Sequence, residues 1–132
     1  MVKMDRPIRV LLTKPGIDTH WRGVAVLSMG LRDNGLEVIN AGNQSVEEIV
    51  RTAVQEDVDI LGLSFQCESY RMFVPAIMEG LKENEAEDMK VIVGGHILPN
   101  HDDSLIEAGV KRVFHLHTAP DEVAEYIKEI VK

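Results

Sequence analysis

The chain has 132 residues, 45% of them hydrophobic, and sets 14 lysines and arginines against 22 aspartates and glutamates, for a formal charge of -8. That length supports one compact domain, and the acidic balance argues against nucleic-acid and anionic-membrane partners, which call for clustered lysine and arginine. A single cysteine, Cys67, excludes an internal disulfide framework and a cysteine zinc cluster. With no signal-like leader and no apolar run near the roughly 18 residues of a membrane span, the expected compartment is the cytoplasm.

Short apolar, β-branched runs alternate five times with longer amphipathic stretches. In chain order the pattern predicts a strand over 8–13, a helix over 23–34, a strand over 36–40 and a helix over 45–56. A strand over 60–64, a helix over 70–84, a strand over 90–93, a helix over 104–109, a strand over 112–115 and a helix over 120–131 follow. The punctuation agrees with this reading. Ser45 ahead of Glu47 and Glu48 reads as an N-cap with first-turn acids, Gly35 after Asn34 as a left-handed helix end, and Pro120-Asp121-Glu122 as a helix start. Runs such as Val91-Ile92-Val93 are too apolar for a sheet with one wet face. The expectation is a single-domain, doubly wound parallel five-stranded α/β sheet of flavodoxin-like (Rossmann-like) type, ordered 2-1-3-4-5, occupying residues 1–132 with its core at about 8–131.

Ligands of such sheets sit outside the carboxyl ends of the strands, near the reversal of strand order. Of the five histidines, His20, His96, His115 and His117 fall on that rim, and His101 lies close to it in sequence. The loop from Lys14 to Gly23 lacks Gly-x-Gly-x-x-Gly, so no dinucleotide fingerprint is present, and no phosphate loop ends in lysine and a hydroxyl. A phosphate-accepting receiver would place an aspartate at the end of the third strand, where Ser64 stands. Asp18-x-His20-x-x-Gly23 remains. In an extended loop Asp18 and His20 share a side, so the carboxylate can hold one ring N–H and leave the other nitrogen to a metal. Lys14 could moderate that charge, and Gly23 would let a large planar ligand approach the backbone.

Asp18/His20/Gly23, Ser64 at the start of a Ser-x-Leu element, and Gly94/Gly95 each end a different strand. In that register, over about 8–131, the chain resembles the cobalamin-binding domain of adenosylcobalamin-dependent acyl-CoA mutases, in the manner of a separate small subunit or the C-terminal domain of methylmalonyl-CoA mutase. The resemblance implies an isomerase subunit inactive alone, binding adenosylcobalamin with its nucleotide base swung away from cobalt. His20 would be the lower axial cobalt ligand, oriented by Asp18 with Lys14 behind it. Thr19, Trp21, Arg22 and Gly23 would border the cofactor in the same loop; Ser64, Gln66, Gly94, Gly95, Phe114, His115, His117 and Thr118 would border its nucleotide tail. The chain itself would carry no catalytic residue, because the radical 1,2 carbon-skeleton rearrangement is the cofactor's chemistry and the acyl-CoA site belongs to a large barrel-type partner subunit.

Two places depart from the family pattern. Gln66 replaces the leucine of Ser-x-Leu, and His115-Leu116-His117-Thr118 stands where small residues of the Gly-Pro-Gly-Thr type are usual, with Thr118 alone matching. Two alternatives therefore stay open. One is a metal-ion module, with His115 and His117 on one side of an extended segment and His20, His96, Asp18 and Cys67 supplying further ligands. The other is a corrinoid carrier for methyl transfer, which shares Asp-x-His-x-x-Gly. Elsewhere, Cys67 reads as a small loop or buried residue, and Met72, Phe73 and Met78 as core or partner-facing packing.

Overall fold

The computed structural model describes residues 6–16 and 22–131. The elements run β1 (Arg9–Pro15), α1 (Arg22–Asp33), β2 (Glu37–Gln44), α2 (Val46–Gln55), β3 (Ile60–Phe65), α3 (Tyr70–Glu83), β4 (Lys90–Gly95), a 3-10 turn (Pro99–His101), α4 (Asp102–Glu107), β5 (Arg112–His115) and α5 (Pro120–Val131). All strand pairs are parallel, and the order is β2-β1-β3-β4-β5, the one expected of the flavodoxin-like type.

Alternation along each strand divides the core in two. Leu11, Leu61, Leu63, Val91 and Val93 face α2, α3 and α4, where they meet Ile49, Val74, Ile77, Leu81 and Leu105. Val10, Leu12, Ile60, Ile92 and Phe114 face α1 and α5, where they meet Val24, Leu31, Val123, Ala124 and Ile127. Helix α2 starts on a capping box: Glu48 N–H donates to Ser45 Oγ at 3.2 Å, and Ser45 N–H donates to the Glu48 carboxylate at 2.8 Å. Gly35 takes φ +86 after α1, the left-handed turn read from Asn34-Gly35.

The expected bounds shift by two residues or more in four places, the first being β1, which runs past the expected residue 13 to Pro15. Strand β2 runs four residues past the expected Asn40, because the register slips between Leu12 and Thr13 and lets Gly42, Asn43 and Gln44 pair on with Thr13, Lys14 and Pro15. Gly42 supplies the positive φ of +69 at this bulge, and Thr13 Oγ1 donates to its carbonyl at 2.9 Å. Strand β4 continues through Gly94 and Gly95, which pair with Ser64 and Phe65. Helix α4 starts at Asp102 instead of residue 104, behind a 3-10 turn opened by Pro99.

Candidate functional site

A cleft of about 540 Å³ opens at the carboxyl ends of β1, β3, β4 and β5, on the side covered by α1 and α5. Its floor follows from strand parity. Gly62 and Ser64 lie on the same face of β3 as Ile60, and Gly94 lies on the same face of β4 as Ile92. Three neighbouring positions of that face therefore carry no side chain or a short one, while Leu12, Leu27, Ile92, Phe114 and Val123 wall the trough with apolar surface. Gly23, at the start of α1, opens onto the cleft, and a Cβ placed there would meet nothing within 4 Å. No packing among the described residues calls for glycine there, so the free space is available to a ligand.

The two glycines ending β4 have different roles. A Cβ on Gly94 would lie 3.4 Å from Phe114 O, at the edge of ordinary contact, so its missing side chain mainly keeps the trough open. Gly95 has φ +113, and its Cβ would lie 2.1 Å from Phe65 O, so the backbone itself demands glycine.

Of the residues expected at the site, Arg22, Gly23, Ser64, Gln66, Gly94, Gly95, Phe114, His115, His117 and Thr118 all line this one cleft. Asp18, Thr19, His20 and Trp21 lie outside the described residues. Lys14, expected in the loop, belongs to β1 instead, where it pairs with Asn43 and is 1% exposed. Gly62, Val24, Val26, Leu27, Pro120 and Val123 also line the cleft and were not expected. A glycine inside the apolar run 60–64 was the available signal for Gly62.

The histidines at the end of β5 are held differently. His115 is drawn toward α4, with Nδ1 3.0 Å from Ile97 O and Nε2 2.8 Å from Asp102 Oδ2. His117 lies beyond the strand in a turn at φ +72, exposed and without a hydrogen bond among the described residues. The extended His115–His117 pair expected for a metal module is therefore absent, because the strand ends at His115 and both nitrogens of that ring are already engaged. His101 is likewise engaged. Tyr70 Oη accepts from Leu98 N–H at 3.2 Å and stands 2.7 Å from His101 Nδ1. Among the described residues no group of three or more His, Cys, Asp or Glu side chains converges to hold an ion. Cys67 is exposed on the loop after β3, and Met72 is 67% exposed on α3 while Phe73 and Met78 pack on the core.

A parallel sheet ordered 2-1-3-4-5, hollowed by small residues beneath two helices at its reversal point, defines a flavodoxin-like α/β ligand-binding domain. Residues 8–128 match the B12 binding domain family, and the chain belongs to it. It is 43% identical to the 2-hydroxyisobutanoyl-CoA mutase small subunit of Aquincola tertiaricarbonis over 97% of this chain and 96% of that one. It is 38% identical to the pivalyl-CoA mutase small subunit of Xanthobacter autotrophicus over 92% of this chain and 82% of that one. Among solved structures, a cobalamin-binding protein from Desulfitobacterium hafniense superposes with a TM-score of 0.79 at 20% identity, over 95% of this chain and 59% of that one. The signal receiver domain of the response regulator NarL from Mycobacterium tuberculosis superposes at 0.73 with 13% identity, over 96% and 97%. These two likenesses speak for the fold alone.

Proposed function

We propose that this chain is the cobalamin-binding small subunit of an adenosylcobalamin-dependent acyl-CoA mutase, working in the cytoplasm with a separate, large barrel-type acyl-CoA-binding subunit. Residues 1–132 act as one cofactor-binding domain with its core at about 8–131. The observation that carries the reading is the apolar trough floored by Gly62, Ser64 and Gly94, which opens beside Gly23, the last residue of Asp18-x-His20-x-x-Gly23. A hollow of about 540 Å³ whose glycines at 23 and 94 leave room for a ligand suits a long flat appendage such as the nucleotide tail. When bound, adenosylcobalamin supplies a cobalt–carbon bond whose homolysis starts a radical 1,2 rearrangement.

The chain's own residues bind and orient. His20 would hold cobalt, Asp18 would fix its tautomer through the other ring nitrogen, and Lys14 would stand behind them. Thr19, Trp21, Arg22 and Gly23 would edge the corrin. Ser64 and Gln66 would offer hydrogen bonds to the tail, Gly94 would give it room beside Gly95, which the backbone holds at the strand end, and Phe114, His115, His117 and Thr118 would form its far wall. The similarity to two mutase small subunits over nearly the whole chain favours this reading over a methyl carrier. Among the described residues no helix is long and apolar enough to cross a membrane, which agrees with the proposed compartment.

The test is a visible-absorbance titration of the full chain with adenosylcobalamin. Binding with His20 on cobalt shifts the spectrum to the form without the nucleotide base, and His20→Ala abolishes that shift while leaving the circular dichroism of the fold unchanged. A shift that survives His20→Ala refutes the ligand assignment. Stoichiometric zinc in the purified protein, with no cobalamin bound, refutes the function.

A further inference from the structure

Two imidazoles line the cleft, and they differ in how they are held. His115 has an acceptor opposite each ring nitrogen, Ile97 O and the Asp102 carboxylate, so its polar edge serves the fold. Thr118 is similarly occupied, its hydroxyl donating to His115 O at 2.7 Å. His117 has no such engagement, yet its backbone sits at φ +72, where glycine would be the unstrained choice. The other positive-φ residues besides glycine among the described residues, Asp57 and Glu85, directly follow the C-caps of α2 and α3, where a left-handed residue closes a helix. His117 closes no helix. A strained non-glycine backbone bearing an unengaged polar ring at the wall of an apolar cleft is the pattern expected of a contact reserved for a ligand.

We infer that His117 is a specificity-determining residue of the tail cleft, selecting cobamides whose tail ends in a nitrogen-containing heteroaromatic base over those ending in a phenol. The inference rests on the cobalamin reading above. A heteroaromatic base released from cobalt carries a ring nitrogen with a free lone pair, which the leucine, isoleucine, valine and phenylalanine of the walls cannot satisfy, and Ser64 and Gln66 stand at the end of β3, with β4 between them and β5. An imidazole N–H can. A phenolic base brings no such nitrogen and leaves the imidazole unmatched, and sites built to hydrogen-bond a ligand discriminate against analogues that lack the group.

The experiment is equilibrium dialysis of the full chain against adenosylcobalamin and against its analogue with p-cresol as the tail base, for the wild type, His117→Gly and His117→Asn. The wild type is expected to prefer adenosylcobalamin by roughly tenfold, the value of about one hydrogen bond. His117→Gly brings the two affinities together, and His117→Asn, which tolerates the left-handed backbone and keeps an N–H donor, retains most of the preference. Equal affinities in the wild type, or a preference that survives in His117→Gly, overturn the inference while leaving the cobalamin reading intact. If the wild type binds neither compound, the cobalamin reading falls and the inference with it.

Discussion

Replacing each glycine that ends β4 with alanine separates folding from binding. At Gly95 the new Cβ would lie 2.1 Å from Phe65 O, 3.1 Å from Phe65 C and 3.2 Å from Phe65 N, all backbone atoms, at a φ of +113. The unfavourable φ costs about 1–3 kcal/mol. Relieving the clash parts the ends of β3 and β4, which breaks the 2.9 Å bond from His96 N–H to Phe65 O, worth about 1 kcal/mol. It also moves Phe65, which is 2% exposed and edges against the Tyr70 ring at 5.8 Å. The sum is about 3 kcal/mol, a large share of the 5–15 kcal/mol that holds a domain of this kind together. At a urea dependence of about 1–3 kcal/mol per molar, the unfolding midpoint of Gly95→Ala falls by roughly 1–3 M. Gly94→Ala meets Phe114 O at 3.4 Å, so its midpoint stays within about 0.5 M of wild type, while its methyl group fills the trough and weakens adenosylcobalamin binding by roughly tenfold. A Gly95→Ala midpoint indistinguishable from wild type, or Gly94→Ala as the less stable of the two, refutes the division of roles.

Three further outcomes are expected. Gly30→Ala adds helix propensity to α1, but its Cβ would lie 2.3 Å from Pro120 Cβ and 2.9 Å from its Cγ, so the α1–α5 contact opens and the thermal midpoint falls instead of rising. Tyr70→Phe removes the acceptor of Leu98 N–H and the partner of His101 Nδ1; a loss of about 2 kcal/mol and faster amide exchange at Leu98 report it. The Glu48 carboxyl is held below its ordinary 4.5, first by the Ser45 backbone N–H and then by the Ser45 hydroxyl. A folded value below the unfolded one stabilises above the unfolded pKa and ceases to do so as pH falls through the folded one, so urea midpoints of wild type and Glu48→Gln differ most at neutral pH and draw together as the carboxyl protonates below its ordinary 4.5.

The parallel α/β class and the cleft's location followed from five apolar runs and the rule that parallel sheets bind ligands at their carboxyl ends, whereas the strand order rested on the flavodoxin-like type alone. What stayed hidden depended on partners distant in the chain. His115 looked like a ring intruding on the tail because Asp102 and Ile97, 13 and 18 residues away, could not be seen to take it up. Strand β2 looked finished at Asn40 because Ala-Gly-Asn reads as a turn, and only pairing with β1 reveals a bulge. Lys14 looked like a loop residue because charge seldom enters a strand in the core. Gly94 and Gly95 read as one motif, and their φ angles divide it.

The unequal faces of the sheet also shape how the protein would respond to its ligand. The layer under α1 and α5 stops short at a hollow of about 540 Å³ at the carboxyl ends of the strands, whereas the cleft on the other layer, lined by Met78, Leu81, Met89 and Ala108, lies where α3 and α4 end and β4 begins. An apolar tail lodged there would act as the last piece of that core, so part of its binding energy appears as cohesion between two helices and the sheet. The α1–α5 half is thus the one that a ligand at the carboxyl ends of the strands would complete. Loading it should slow amide exchange in α1 and α5 while the opposite layer hardly changes.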